Sequence, residues 1–563
     1  MKKIVIWGAG KIGRGFIADL FNQGGYEIAF IESDRKLVDM LNRKRKYSVI
    51  SIPSNGNQEI SHVKDFSVYH TSEKENISEI LYDTNLLAIV TFPNAYNSIS
   101  EILSEVIERH TRSENPSPLD ILICANIFNP SSSLKKLLMN RLSDKGQEYL
   151  KEKVGLVETL IIRIATEADE KQKSVDPLVV VTNGYPELPL DKTAFKGVLP
   201  DIKGLLYTDR IKAEETRKIY TYNMVHAVFA YAGARKNYRY VTESSSDPEI
   251  LRLAKNTLSE ISEGLQKAFG FSASEMNEWN EKVLVNQTNP VLQDTIIRIG
   301  ADPVRKIGRE DRLVGPALMC RKNGILPYYL SKVIAYAFLF DQPEDKGCQE
   351  IKESIKVHGI KETIANYCGL EKEKDLVWLI LSLYKRTKNN EEHIDTSERI
   401  SVMKNAFKLG FRYEKQYRGC AQCTLGALYE LTGKREDMVF QASTAFSGGM
   451  AISGDGSCGG YSGGILFLGT YVGRRLDKID GDKEAQYKAY DLSMKLRDKF
   501  IETYGSVTCK DIHNKIFGRS YVLRTKDVRD EFEEAGAHLD KCTSVIGIST
   551  LWVAEILMDE KYI

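Results

Sequence analysis

Short apolar runs, each four to six residues long, recur between stretches of helical periodicity over the first third of the chain: Ile4–Trp7, Ile28–Ile31, Leu86–Thr91, Ile121–Cys124 and Leu178–Thr182. Strand-like runs that alternate with helical ones predict a doubly wound α/β sheet over residues 1–190. From 191 to 385 the strand-like runs thin out and amphipathic stretches take over, notably Asp209–Ala232 and Asp247–Phe269. Asp247 is placed to cap the second of these, with Pro248 at the first helical position. This region reads as a mostly α-helical domain. The polar, charged stretch beyond it suits a linker at 386–399, and helical patterns resume from 400 to 563 around a glycine-dense segment, Phe446–Gly464. No solenoid repeat stands out.

A chain of 563 residues exceeds what one core organises, in keeping with three domains. Its 78 basic and 77 acidic side chains cancel, and no long run of one sign stands out, so neither a nucleic acid nor a membrane surface is an expected partner. A small-molecule ligand is, with either a single chain or a homo-oligomer presenting it. Lys2 and Lys3 precede the first apolar run, but Lys11 and Arg14 interrupt the apolar character soon after it, unlike a signal peptide. No segment is expected to supply the about eighteen apolar residues that a membrane span needs. The expected compartment is the cytoplasm, where nine cysteines stay reduced and are read as packing, redox or metal-binding residues before structural disulfides.

The first strand runs directly into Gly8-Ala-Gly10-Lys-Ile-Gly13-Arg14, and helical periodicity continues through Phe16, Ile17 and Leu20. Between a strand and a helix, this GxGxxG is a dinucleotide-binding fingerprint. Gly8 allows the tight turn, Gly10 the approach of a pyrophosphate, and Gly13 close packing of helix on strand. The helix N-terminus offers free N–H groups to the anion. Glu32 ends the next apolar run, where a carboxylate accepts from a ribose 2′-hydroxyl and repels a 2′-phosphate. The Rossmann domain is therefore expected to bind NAD.

Beyond Thr208-Asp209, at 100° per residue, Ile211, Lys218, Tyr222, Val225 and Phe229 fall within about 60° of one another. Lys218 interrupts a stripe that should face the interior. Burial disfavours the ammonium form and suits a lysine to take and return a proton near neutral pH. The same position also suits a stem that packs while its ammonium reaches water. Asn223 and His226 project about 140° and 80° from Lys218 on the same period, close enough to border one cavity.

The spacing Lys218-x4-Asn223-x2-His226 after a Rossmann domain resembles the polyol-specific long-chain dehydrogenases, in particular those that interconvert mannitol 1-phosphate and fructose 6-phosphate. The matching segments are Gly8–Phe16, Asp191–Gly197, Lys218–His226 and Asp302–Leu313, and the resemblance spans about residues 1–385. It implies a metal-free NAD enzyme in which Lys218 is the acid/base and Asn223 and His226 hold and polarise the reacting oxygen. Arg14 and Asn126 join the expected cofactor contacts. Arg298, Arg305, Lys306 and Arg312 become candidates for the substrate phosphate, since guanidinium forks match phosphate oxygens. A solvated loop whose cations pair with Asp302, Glu310 and Asp311 is the competing expectation.

Three positions depart from that family's pattern. Phe92 stands where a glycine precedes Pro93, Ala125 where a glutamate precedes Asn126, and Ile162 where an aspartate precedes Arg163. Two carboxylates are thereby lost. One reading has Phe92 crowd the nicotinamide side of the cleft and the substrate change while the reaction type survives; the other is neutral drift in a diverged homologue.

The last domain holds five of the nine cysteines: Cys420, Cys423, Cys458, Cys509 and Cys542. Gly419-Cys-Ala-Gln-Cys423, with Cys458, Cys509 and Cys542, resembles the C-GCAxxG-C-C family, to which redox activity is ascribed, although Thr424 replaces its second glycine. The two-residue gap between Cys420 and Cys423 permits dithiol–disulfide exchange, and a thiol at a helix start is expected to acidify. An iron–sulfur cluster or zinc, with His513 as a further ligand, and simple packing remain alternatives. The glycine-dense stretch lacks the Gly-Lys-Ser/Thr ending of a phosphate-binding loop. The whole chain therefore has two candidate functions. One is polyol phosphate oxidoreduction; the other is an NAD(H)-binding sensor or electron carrier acting through the C-terminal thiols.

Overall fold

The computed structural model describes residues 2–53, 57–114, 116–125, 130–166, 168–289 and 294–563. The chain divides into two compact units, one of Met1–Lys218 with Leu284–Gln293, the other of Ile219–Val283 with Asp294–Ile563.

Among its described residues the first unit has twelve strands: β1 (Lys3–Trp7), β2 (Glu27–Glu32), β3 (Lys46–Ser51), β4 (Glu59–Lys64), β5 (Phe66–His70), β6 (Leu86–Ile89), β7 (Leu119–Ile123), β8 (Val154–Glu158), β9 (Ala165–Thr166), β10 (Val180–Thr182), β11 (Leu188–Asp191) and β12 (Leu205–Thr208). Six form a parallel sheet in the order β5-β2-β1-β6-β7-β8, the dinucleotide-binding topology with its switch point between β1 and β6. Because helices cover both faces, adjacent residues of one strand serve different cores. Ile4 and Ile6 pack with Phe16 and Phe30, while Val5 and Trp7 pack with Ala29 and Ile31.

The run Leu178–Thr182 does not join this sheet. As β10 it pairs with β3 and β9 in a separate mixed sheet, β4-β3-β10-β9. Two strands of the main sheet, β5 and β8, lie outside the apolar runs that predict the others. β8 follows the helix Asp144–Lys153 with no glycine or proline between them, so nothing in the composition marks where one period gives way to the other.

The second unit is helical. Asp247 caps the helix Pro248–Phe269 as the sequence predicts, accepting from Glu249 N (2.8 Å) and Ile250 N (3.1 Å), and Gly270 ends it in the left-handed region. The expected linker is an ordered turn between the helices Lys374–Lys388 and Ser397–Tyr417. There Arg386 pairs with Asp395 (2.5 Å) and Glu555 (3.3 Å), and Trp378 meets Trp552 edge to face at 5.3 Å. The helix Cys542–Asp559 lies along Ser397–Tyr417 at the centre of the cysteine-bearing bundle. One segment, Ala537–Asp559, is long and apolar enough to cross a membrane by length and composition, contrary to the expectation that none would be; 83% of its apolar window is buried against other helices. The serines and threonines at 543, 544, 549 and 550 interrupt that run in the sequence and so conceal its apolar character.

A buried ion pair ties the two halves of this unit. Glu260 is fully buried and accepts from Lys404 Nζ (3.0 Å), Tyr329 N (3.1 Å) and Leu330 N (3.2 Å), and burial still holds its carboxyl above the usual range. Replacing Lys404 with methionine is expected to lower the unfolding free energy at neutral pH by about 3–5 kcal/mol, because an uncompensated charge stays inside. Chemical denaturation checks this, with Glu260→Gln added to Lys404→Met restoring part of the loss.

Candidate functional site

At the carboxyl end of β1 the chain turns through Gly8 at φ +108°, a conformation that side chains resist. A Cβ on Gly8 would stand 2.5 Å from Val90 O, and one on Gly13 would stand 2.0 Å from Gly8 O. Gly8 is therefore required by the end of the neighbouring strand β6, and Gly13 by the approach of the following helix to β1. Gly10 differs: a Cβ there would meet nothing within 4 Å, so its backbone faces open space. That is the room a pyrophosphate needs. The helix opens with a π-helical segment, Gly13–Ala18, and Arg14 N closes the first turn on Gly10 O at 2.9 Å.

Glu32, at the end of β2, aims its carboxylate back over this turn. Oε2 accepts from Ala9 N (2.7 Å) and Oε1 from Ser33 N (2.7 Å) and Asp34 N (3.0 Å), which fixes an anion where a ribose would lie. The residues therefore fit a dinucleotide with a free 2′-hydroxyl. Arg14 turns inward, donating to Ala9 O (2.8 Å) and Leu178 O (2.5 Å), so it braces the turn. Asn126 lies outside the described residues.

Of the three departures, Phe92 follows β6 and is 82% exposed, Ala125 is half-buried after β7, and Ile162 is buried. Beyond β8 stands a group that sequence reading missed. Glu158 accepts from Ser131 Oγ (2.5 Å) and pairs with Lys212, whose Nζ also stands 3.6 Å from Glu215. Burial, reinforced by the Glu158 charge, pushes the Glu215 carboxyl up to about 7. Only the third dimension reveals this, because Glu158 and Glu215 are distant in sequence.

Lys218 ends the helix Ile211–Lys218, one turn after Glu215, and is 6% exposed. The apolar stripe is buried as predicted at Ile211, Tyr222, Val225 and Phe229. The period is not kept, however. Ile219–Asn223 is a π-helical turn before the helix Met224–Arg235, so projections made at 100° per residue fail beyond Lys218. Such turns recur at functional sites. In the second unit Trp279 Nε1 donates to Thr221 Oγ1 (2.8 Å) and the ring meets Tyr222 edge to face, which holds the π turn. Asn223 and His226, three apart, are both half-buried among fully buried neighbours.

The candidate phosphate cations are not equivalent. Arg305 pairs with Asp302 (3.0 Å) and Arg312 with Asp311 (2.7 Å), as the competing expectation described, while Arg298 pairs with Asp294 (2.8 Å), an acid it did not name. Lys306 is buried and makes no hydrogen bond among the described residues. Burial, with Arg312 and Arg305 nearby, brings its ammonium down to about 8.

Four of the five C-terminal cysteines converge. Cys420, Cys458, Cys509 and Cys542 line one cavity of about 250 Å³ together with His513 and Glu414. Three stand at helix starts, where Cys420 begins Cys420–Thr432, Cys458 caps Gly459–Val472 and Cys509 begins Cys509–Phe517, while Cys542 lies inside a helix, where the π-helical turn Ala537–Lys541 passes into Cys542–Asp559. Cys423 does not line it and donates to Arg418 O at 3.0 Å. The expected acidification at a helix start is overturned, since burial pushes the Cys420, Cys458 and Cys509 thiols up to about 12. No disulfide is present among the described cysteines. The glycine-dense stretch serves packing: a Cβ on Gly459 would stand 2.2 Å from Cys420 Sγ, and one on Gly463 2.5 Å from Ala421 O.

Residues 2–204 match the family model described as mannitol dehydrogenase Rossmann domain, 210–388 the mannitol dehydrogenase C-terminal domain, and 419–556 "Putative redox-active protein (C_GCAxxG_C_C)". A mannitol-1-phosphate 5-dehydrogenase of Thermoanaerobacter pseudethanolicus is 32% identical over 388 residues, 69% of this chain and 98% of that one. Another, of Bacillus velezensis, is 31% identical over 376 residues, 67% of this chain and 97% of that one. The fold is shared with a substrate-free D-sorbitol dehydrogenase (TM-score 0.60, 14% identity, 69% of this chain and 93% of that one). It is also shared with Pseudomonas fluorescens mannitol 2-dehydrogenase in a ternary complex with NAD and D-mannitol (TM-score 0.55, 14% identity, 70% and 93%).

The glycine turn predicts opposite outcomes for two like substitutions. Gly10→Ala should leave thermal unfolding unchanged while weakening NADH binding by at least about tenfold, because the methyl fills the anion's space. Gly13→Ala should lower the unfolding temperature as well, because its methyl has only Gly8 O to displace.

Proposed function

The chain belongs to the mannitol dehydrogenase family, and on that premise we propose that it moves hydride between NAD and the carbonyl or alcohol carbon of a polyol phosphate of the mannitol 1-phosphate/fructose 6-phosphate type. The observation that carries this reading is Lys218, a buried amine in the family's Lys-x4-Asn-x2-His pattern. NAD, when bound on the glycine turn, supplies the hydride acceptor. Lys218 takes the alcohol proton during oxidation and returns it during reduction, since burial lowers the cost of its neutral form. Glu215, one turn away on the same helix and titrating near neutrality, exchanges that proton onward. It stands in a chain whose Ala125 and Ile162 replace two carboxylates. Asn223 and His226 donate to the reacting oxygen and stabilise charge that develops there. Lys306 binds the phosphate, because the three candidate arginines are each held in an ion pair with an aspartate, whereas Lys306 makes no ion pair among the described residues, although Asp302 and Asp311 lie near it.

For the cysteine-bearing half we infer a bound cofactor held by thiols in preference to a Cys420–Cys423 dithiol. The supporting observation is that Cys423 does not line the cavity that the other four share, its thiol being spent on Arg418 O.

Replacing Lys218 with alanine should lower kcat by about 10²–10⁴-fold with NADH affinity retained; an unchanged kcat would exclude the lysine mechanism. Lys306→Met should raise KM for the sugar phosphate by at least about tenfold and leave KM for unphosphorylated fructose unchanged. Because the Lys306 ammonium loses its proton near pH 8, KM in the unaltered protein should rise as pH climbs through that value. Lys306→Arg, charged throughout, should abolish the rise.

A further inference from the structure

The glycine-rich, cysteine-bearing cavity has properties that its parts do not have singly. Its wall is largely apolar, with Ile452, Ile512, Phe532, Val545 and Ile546, yet the N-termini of three helices, those at Cys420, Cys458 and Cys509, bring their first residues to it. These helices run nine to fourteen residues, long enough for each to place about half a positive charge at its start. In a water-poor space that positive field favours an anionic occupant. Backbone N–H groups already reach one sulfur, with Gly448 N donating to Cys420 Sγ at 3.4 Å.

His513 gives a second, independent indication. It is 4% exposed, its Nδ1 has no hydrogen-bond partner, and its Nε2 stands 3.5 Å from Cys509 Sγ and 3.9 Å from Cys542 Sγ. With Nδ1 unpartnered, the tautomer that carries hydrogen on Nε2 turns a donor towards two sulfurs. Such a donor is best used by thiolates.

The thiols surround a space and do not meet at a point. Among the described residues no three His, Cys, Asp or Glu side chains are grouped to hold one metal ion. A mononuclear zinc site needs three or four donors about 2.0–2.3 Å from one atom. Four cysteines spread round a cavity of about 250 Å³ suit an occupant several atoms across. The backbone at the rim is also held out of its preferred region: Gly448, Gly449, Met450, Ala451 and Ile452 all have φ between +45° and +71°, three of them bearing side chains.

We propose that this cavity binds an iron–sulfur cluster on Cys420, Cys458, Cys509 and Cys542, with His513 donating to the ligating sulfurs and Cys423 taking no part. The proposal rests on the reading of the cavity as a cofactor site and names the cofactor's class. Each ligating thiol releases one proton to solvent as its sulfur–iron bond forms, so the four sulfurs enter the complex as thiolates.

The full-length protein, purified and reconstituted anaerobically with ferric and ferrous iron and sulfide, tests this. Iron and acid-labile sulfide should be bound in equal amounts, about two to four of each per chain, with a visible charge-transfer band. Cys420→Ala and Cys458→Ala should each lose most of both, and Cys423→Ala should keep them. Circular dichroism should confirm that all three variants are folded, and His513→Phe should keep iron but shift the reduction potential. Zinc bound in place of iron would overturn the cluster and leave a thiol-held cofactor standing. A cavity that takes up neither metal would overturn both. Iron lost equally from Cys423→Ala would overturn the ligand assignment.

Discussion

The first unit depends on how closely one helix approaches one strand. At Gly13 the helix comes so near to Gly8 that a methyl group would stand 2.0 Å from the carbonyl oxygen. Only that approach aims the helix start at the carboxyl end of β1, beside the switch point where β6 lies on the other side. It leaves Gly10 facing open space, and Ala9 N free to fix Glu32 above the turn. A single steric limit thus sets the place of the anion, the place of the ribose carboxylate and the edge from which chemistry can proceed.

The cysteine-bearing half solves a related problem with different means. Helix starts again converge on one place, three of them carrying a thiol, and the glycines of the dense stretch let the helices approach closely enough to bring those thiols and Cys542 round one cavity. Burial keeps the thiols protonated when nothing else is bound, so any cofactor that they hold must compete with protons. This unit and the helical region before it share one compact body through Glu260–Lys404 and Arg386–Glu555.

Much of this was legible in the sequence for physical reasons. The glycine spacing and Glu32 are local features, and the apolar residues on either side of Lys218, from Ile211 to Phe229, are buried where the sequence places them. The π turn at Ile219–Asn223 was not legible, because nothing in its composition distinguishes it from an α turn, and so the projected angles of Asn223 and His226 failed. The pKa of Glu215 and the isolation of Lys306 among paired arginines depend on partners brought together only by folding. The cysteines show both sides. Their type pointed to chemistry, but the two-residue gap selected Cys423, which does not line the cavity, and the helix-start rule predicted acid thiols where burial dominates.

The central claim is that the glycine turn and the buried lysine serve hydride transfer to and from a sugar phosphate. The most direct measurement follows nicotinamide absorbance in the purified full-length protein with fructose 6-phosphate, comparing NADH with NADPH under the same conditions. The account predicts NADH oxidation that depends on the sugar phosphate, and much slower oxidation of NADPH because Glu32 repels its 2′-phosphate. NADH left unconsumed, or NADPH preferred, would contradict it.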